Sequence, residues 1–491
     1  MRRLLVALVS ITSMMALATN TAVAQEDDGS DQSGAETAME GLIQTLSAMI
    51  DTVIERTEPG STERAEGLRH ILRMVEMQNG GFTDDADAAN PVLSRCPGGV
   101  CKLGMDNPDF TYQAIGPLSA EFEYRITGSR GTVPYITMQI FEGALGGDVT
   151  MTSEDLVVDE DGTFEIILSA TEPPDASNWM QLNDQARRFL ARQGYNDWNT
   201  DEEASFAVEV IGGPDLGPVP HLSDEEFVDD VGNLSLVLSA LIPLMQDTRA
   251  GWPVNALDEP RVGAFGIENA GFPTTFGTVG VYELAEDEAM IIEMSDHDVI
   301  HGGIQLGNVW LESLDYRTRQ TSLNWHQSTP DSDGQYRYVL AHTDPGTANW
   351  LDVSGHGEGS IFIRWQDPDD ADMPEQPIVT LVPLAEVTDL LPADHQMVTL
   401  PERAEALDLR AAAINRRRNP VEYEFTATAT ATATTTTEAP PPSTPTEDVE
   451  EAAAATLEDD GKSDSNLAVV LAVLAALAAG ALGWQLGRRR G

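Results

Sequence analysis

From Glu36 to about Glu58, apolar residues return every three or four positions: Met39, Leu42, Ile43, Leu46, Ile50 and Ile54. That period predicts an amphipathic helix packed along this stripe. A second helix is predicted from Ser61 to about Gln78, with Leu68, Ile71, Leu72 and Val75 on one face and Gly80-Gly81 closing it. The two form a helical hairpin over 35–95. From Phe110 the period shortens to two. "EFEYRITGSRGTVPYITMQIFEG" alternates on both sides of a Gly-Ser-Arg-Gly turn, the mark of a β-hairpin, and "GTFEIILSA" and "ASFAVEVIG" continue the strands. A helix interrupts at 221–250, opened by Ser223 with Glu226 three residues on as a capping box. Strands then resume in "GTVGVYEL", "EAMIIEM", "QTSLNWHQ", "QYRYVLAH", "GSIFIRWQ" and "PIVTLVPL". A last helix begins at Pro401. Short strands with frequent turns predict antiparallel sandwiches.

The two strand regions repeat one another. Asp161-Gly162 is followed 16 residues on by Asn178-Trp179, then by "FLARQ" with Arg192; Asp333-Gly334 is followed 15 residues on by Asn349-Trp350, then by "IFIRW" with Arg364. Order, spacing and strand character predict two related β-sandwich units, at 96–220 and 251–400, with the closing helix at 401–419. The chain is therefore read as mainly β, with two antiparallel sandwich units, an N-terminal helical hairpin, a connecting helix and a C-terminal transmembrane helix.

The ends give the address. Residues 1–24 read as a signal peptide: Met1-Arg2-Arg3, an apolar run from Leu4 to Leu17, and an Ala-x-Ala site ending at Ala24. An acidic segment follows at 25–34, expected to be disordered. Residues 420–465, rich in Thr, Pro and acid, lack apolar periodicity and read as an extended stalk. From Leu467 to Trp484 the chain is apolar and uncharged, which predicts a membrane-spanning helix at 466–486, and Arg488, Arg489 and Arg490 hold the tail at 487–491 in the cytoplasm. The folded body is thus expected outside the cell, tethered through this helix.

Charge sharpens that picture. With 81 Asp+Glu against 28 Lys+Arg, the formal net charge is -53, and Lys102 and Lys462 are the only lysines. Such a surface repels phosphate backbones, so a nucleic acid partner is not expected. A hydrated acidic coat of this kind suits high salt, where repulsion is screened within about 3 Å at 1 M. Outside the cell, Cys96 and Cys101 in "CPGGVC" are expected to form a small-loop disulfide. Asn233-Leu234-Ser235 is a glycosylation sequon.

"SLNWHQ…DGQYRYVLAHTDPGTANWLDVSGHGEGSIFIRW", together with "DNPDFTYQ…YRITGSRGTVPYITMQIF…DASNWMQL…FLARQGYNDW" and "LPERAEALDLR", resembles the domain of unknown function 1214 over roughly residues 100–418. The resemblance implies jelly-roll-like β-sandwiches. The family has no established general catalytic residues to carry over.

Candidate chemistry gathers in the second unit, at His342, Asp344, Asn349, Trp350, Asp352, His356 and Arg364. In a ligand cleft, Trp350 would be a stacking platform, Asn349, Asp352 and Arg364 would hydrogen-bond, and His342 and His356 would supply acid or base. In a packing role, Trp350 would plug the sandwich core, Asn349 would satisfy loop backbone and Arg364 would pair with a carboxylate. His297, Asp298 and His301 have metal-like spacing but read as an exposed acidic loop, so no metal or other cofactor is expected. Nucleophile elbows, phosphate loops and zinc-protease motifs do not occur. The sequence thus leads to a cell-surface ectodomain, either a glycan- or small-molecule-binding module or an envelope component. The alternative is an enzyme, hydrolase-like, using the loop from His342 to His356.

Overall fold

The computed structural model describes residues 33–78, 86–95, 102, 104, 106–142, 147–215, 217, 221–263, 275–368 and 373–418. The signal, stalk, membrane span, Cys96 and Cys101 lie outside the described residues.

Among the described residues, eighteen strands fall into four sheets, two five-stranded and two four-stranded. The first half supplies β1 (Val92–Arg95), β2 (Phe110–Gly116), β3 (Glu123–Ser129), β4 (Tyr135–Phe141), β5 (Thr150–Thr152), β6 (Thr163–Ser169), β7 (Trp179–Gln181), β8 (Arg188–Gly194) and β9 (Ala207–Gly212). Its sheets run β1-β2-β8-β4-β5 and β7-β6-β3-β9. The second half supplies β10 (Arg261–Val262), β11 (Thr275–Glu283), β12 (Glu288–Ser295), β13 (Val299–Gly307), β14 (Ser322–Asn324), β15 (Gln335–Ala341), β16 (Trp350–Asp352), β17 (Glu358–Pro368) and β18 (Ile378–Pro383). Its sheets run β10-β11-β17-β13-β14 and β16-β15-β12-β18. Adding nine to each strand of the first half reproduces the second. Even the irregular feature recurs: β7 pairs with β6 in parallel and β16 with β15 in parallel, while the other named pairings are antiparallel.

Each sandwich closes on its own core. Ile126, Ile136, Met138, Ile166, Leu168, Phe189 and Ala191 fill the first, and Met290, Ile292, Ile304, Leu306, Leu340, Ile361 and Ile363 the second. The Asp-Gly turns that open β6 and β15 place Gly162 at φ 85° and Gly334 at φ 80°, where a Cβ would be strained.

Helices α1 (Gly34–Arg56), α2 (Thr62–Gln78) and α3 (Asp224–Ala250) form a separate layer around Met49, Val53, Ile71, Met74, Leu238, Ile242 and Trp310. Ser33 caps α1 in a reciprocal box with Glu36, and Ser223 caps α3 by accepting from the Glu226 amide. The predicted stripe on α1 is only partly its packed face: Leu42 and Leu46 pack against this core, but the rest of the stripe does not. Met39, Ile43, Ile50 and Ile54 are exposed, and Met49 and Val53 are the buried positions. On α2, Ile71 and Val75 pack as predicted, while Leu68 and Leu72 are exposed. The reason is Trp310, which seats its ring at Gly67: a Cβ there would stand 2.6 Å from it. That seat fixes which side of each helix turns inward. α3 is long and apolar enough to cross a membrane by length and composition, and most of it is not buried in this layer.

A short α4 (Val387–Leu390) precedes α5 (Leu400–Arg418). The terminal helices clasp opposite halves. α2 grips the second half, where the Trp310 indole donates to the Glu63 carbonyl at 2.7 Å and Glu312 accepts from Arg73 at 2.6 Å. α5 runs back to the first half, burying Ala413 and Ile414 in that core, and Arg417 donates to the Pro108 carbonyl at 2.8 Å.

Candidate functional site

The loop of the second unit uses its polar side chains to tie elements together. Asn349 is fully buried; its Oδ1 accepts from the Thr329 amide at 2.9 Å and its Nδ2 donates to the Thr329 carbonyl at 2.8 Å. Asn178 does the same in the first unit, holding both backbone groups of Val157. The Trp350 indole donates to the Ala341 carbonyl at 3.1 Å, with the Arg403 guanidinium 5.3 Å from its ring centroid. Asp344 accepts from Arg403 at 3.0 Å, and Asp352 accepts from Arg319 at 2.8 Å and from the Ser354 amide at 2.7 Å. His342 lies half-buried with Nε2 3.1 Å from the Leu284 carbonyl.

Neither tryptophan plugs a sandwich core. Trp350 packs among Ala289, Val339, Ala341, Val382, Val387 and Leu391, on the outer face of the four-stranded sheet, and Trp179 is only half-buried. The residues that follow them, Leu351 and Met180, point into the cores. Alternation along β7 and β16 makes this unavoidable: if one residue faces the core, its neighbour faces away.

His356 points elsewhere again. Its Nε2 lies 3.0 Å from Glu66 Oε2 on α2, and its Nδ1 is 3.1 Å from the Val353 carbonyl. Burial alone would lower the imidazole's pKa, but the bond to the Glu66 carboxylate outweighs it and raises the value above the ordinary one. Burial would raise Glu66, yet His356 holds it below the usual carboxylate range. His301 is not in an exposed loop. It lies on β13, buried, with Nδ1 2.8 Å from Asn196 Oδ1, because this strand starts at Val299 and carries it into the junction with the first unit. Burial depresses its pKa. His297 is half-buried and Asp298 exposed beyond the strand's end. Among the described residues, no three His, Cys, Asp or Glu side chains gather as a metal site. Asn233 is exposed on α3.

Arg364 stands apart from the rest of the loop set. β17 pairs it with Gly277 of β11 and Gly303 of β13, on the face turned away from the Ile361–Ile363–Trp365 core. Its repeat counterpart, Arg192, sits between Tyr112 of β2 and Thr137 of β4, also facing away from its core. Around them are polar side chains at deep positions: Thr137, Gln139, Gln305 and Gln366 are all nearly inaccessible. Contacts between the halves include Gln305 donating to the Asp106 carbonyl at 2.8 Å, Asn324 donating to Asp109 at 2.9 Å, and the Phe110 ring 5.2 Å from His301. The two five-stranded sheets thus meet along a polar seam.

Burial pushes both guanidinium groups down to about 10, and both act on the Tyr112 phenol. Arg364 donates to Gln305 Oε1 and lies 3.7 Å from the Phe362 ring centroid. Arg192 Nη2 donates to Gln139 Oε1 at 3.1 Å, while its Nη1 is buried with no partner. An unmet buried donor costs about 1–3 kcal/mol, and more when it is charged.

Sequence reasoning missed the junction residues. Lys102 donates to Ser313 Oγ at 3.0 Å and the Leu314 carbonyl at 3.0 Å, and Asp106 accepts from Ser313 Oγ at 2.9 Å. The rarity of lysine was a usable signal, since Lys102 is one of only two in the chain. An open cleft of about 530 Å³ lies elsewhere, lined by Ala35, Glu36, Met39, Glu40 and Phe227 at the starts of α1 and α3.

This double sandwich is similar to a crystal structure of an uncharacterised protein from Burkholderia cenocepacia, with 30% sequence identity and a TM-score of 0.64. The match covers 72% of this chain and 99% of that one. Residues 144–196 match the model of a protein family of unknown function, DUF1214. The chain belongs to the DUF1214 family. The DUF1214 match falls on the first repeat, from just after β4 to just beyond β8, and so includes Asn178 and Arg192. The VPA0106 protein from Vibrio parahaemolyticus is a more distant structural match at 11% identity and a TM-score of 0.39, covering 71% of this DUF1214 chain and 100% of that protein. No curated protein matches the chain.

Proposed function

We propose that this DUF1214 protein is a membrane-anchored, extracytoplasmic binding module for a glycan or small molecule, with its ligand in the seam between the two five-stranded sheets. One observation carries the reading: the repeat places Arg192 and Arg364 at equivalent positions on sheet faces that are buried yet polar. Burying polar groups is costly unless they are hydrogen-bonded, and Arg192 Nη1 and Thr137 Oγ1 on this face are not. The sandwiches are of jelly-roll type in this reading, the signal and stalk put the body outside the cell, and Leu467–Trp484 forms the anchor. Cys96 and Cys101 close a small disulfide loop, and Asn233 is an acceptor where the source glycosylates exported proteins.

The test is direct. Full-length protein, purified in detergent, is melted with a panel of neutral saccharides and small organic anions at constant ionic strength. Stabilisation by a panel member supports the binding module; a melting temperature unmoved by the whole panel overturns it. Deleting residues from Leu467 onward should release protein into the medium, and retention in the membrane pellet would refute the anchor.

An envelope component is the second reading, favoured by the apolar side chains that α1 and α2 leave exposed, Ile43 and Leu72 above all. In the enzyme alternative, His342 and His356 would have to leave their present hydrogen bonds to act.

A further inference from the structure

We propose that Arg192 and Thr137 form a binding site for a small oxyanion, the carboxylate or phosphate group of a small molecule, in the seam beside Arg364. The proposal rests on the binding-module reading and names its ligand class.

Two side-chain atoms on neighbouring strands lack hydrogen-bond partners. Arg192 Nη1 and Thr137 Oγ1 are both buried with no hydrogen bond, and the two residues are register partners on adjacent strands β8 and β4. Directly paired residues project to the same face of a sheet, so the two orphan groups open onto one face, where Gln139 and the Phe141 ring, 5.6 Å from the Arg192 guanidinium, flank them. Thr137 is only 1% exposed, so solvent does not satisfy it. Buried polar groups are nearly always paired, and two unpaired ones on register partners call for a common partner.

The surrounding charge selects the partner's sign. The titratable groups acting on Arg192 are Tyr112, Tyr135 and Arg188, with no carboxylate among them. Elsewhere in this acidic chain, arginines find acids readily: Arg337 holds Asp331, Asp333 and Glu293, and Arg125 holds Glu165 and Glu209. With 81 acidic residues available, a cation kept away from all of them leaves its donor for an incoming anion. Arg188, exposed four residues earlier on the same face of β8, adds a second positive charge on that side. Nη2 is already held by Gln139, so Nη1 offers one end-on bond and the threonine hydroxyl a second, which suits one small oxyanion group.

The probes are inorganic phosphate and acetate, titrated into the full-length protein against potassium chloride of matched ionic strength, with binding read by calorimetry and by melting temperature. The expected result is stabilisation beyond the chloride control, with the better of the two probes identifying the group. Arg192→Gln should weaken that probe about tenfold or more, the loss of one charge-assisted bond. Thr137→Val, nearly isosteric, should weaken it severalfold while melting as wild type in chloride alone, which keeps the test valid if the arginine variant folds poorly. Arg125→Gln, at a surface ion pair, should change nothing. If neither probe binds but a neutral saccharide does, the orphan donors hold only water and this proposal fails while the binding module stands. If a probe binds and both seam variants retain it, the site lies elsewhere and the proposal fails. If nothing binds, both fall.

Discussion

Replacing Trp350 with alanine removes a ring that is 92% buried against α4 and β12, together with its bond to the Ala341 carbonyl. The expected loss is about 3–5 kcal/mol by urea denaturation. Trp179 is half-buried, and its indole bonds a single hydroxyl, Ser169 Oγ at 3.0 Å, so Trp179→Ala should cost about half as much. Equal losses would mean that the two positions are packed alike in solution. The His356–Glu66 pair makes a pH prediction. A raised imidazole pKa contributes stability that is complete below its ordinary value of 6.5 and fades as pH climbs through the folded value; a lowered carboxyl pKa contributes stability complete above 4.5 and fades as pH falls. The pair therefore helps most between those values. The stability gap between wild type and Glu66→Gln should be larger at pH 5.5 than at pH 8.5, and an equal gap would show that the ion pair contributes nothing. At this scale the sequence was readable where backbone demands were strict, as at Gly162 and Gly334. It misled where a side chain's direction decided the matter, as at Trp350, since Asn-Trp fixes a strand start without saying which neighbour turns inward.

Among the elements, the helical layer offers the clearest contrast. Met74→Ala opens a fully buried position and should cost about 2–5 kcal/mol, whereas Ile43→Gln and Leu72→Gln, at 59% and 71% exposure, should stay within about 0.5 kcal/mol of wild type. Thermal melts decide it, and destabilisation by the glutamines would reveal that this face is covered. The 3.6-residue period announced both helices to within a few residues. It identified the packed side only in part, with Leu42, Leu46, Ile71 and Val75 inward, because α1 carries apolar residues around much of its circumference and its partner, Trp310, lies more than two hundred residues away in the chain. Strands were easier, since their two-residue alternation assigns core and outside together: Ile361, Ile363 and Trp365 inward, Phe362, Arg364 and Gln366 outward.

For the whole molecule, a net charge of -53 predicts stability that rises with potassium chloride into the molar range, as screening relieves repulsion among surplus carboxylates. A melting temperature that stays flat or falls would count against a salt-adapted coat. The duplication was legible in two short echoes, Asp-Gly and Asn-Trp with a following arginine, and the matching strand orders extend it to nine strands in each half. The polar seam was not legible, because outward-facing Thr137, Gln139, Gln305 and Gln366 look like solvent positions until the other copy covers them. The crossed terminal helices carry a further consequence. Since α2 holds the second half and the end of α5 holds the first, the chain's continuity between β9 and α3 adds little to what keeps the halves together. A protease cut between Gly212 and Ser223 should therefore leave one particle on gel filtration. Two separately expressed fragments, 33–215 and 221–418, should likewise find each other and reconstitute it, as the parts of a split reporter do. Separation of the nicked halves without denaturant would show that the clasp is too weak to replace the peptide bond.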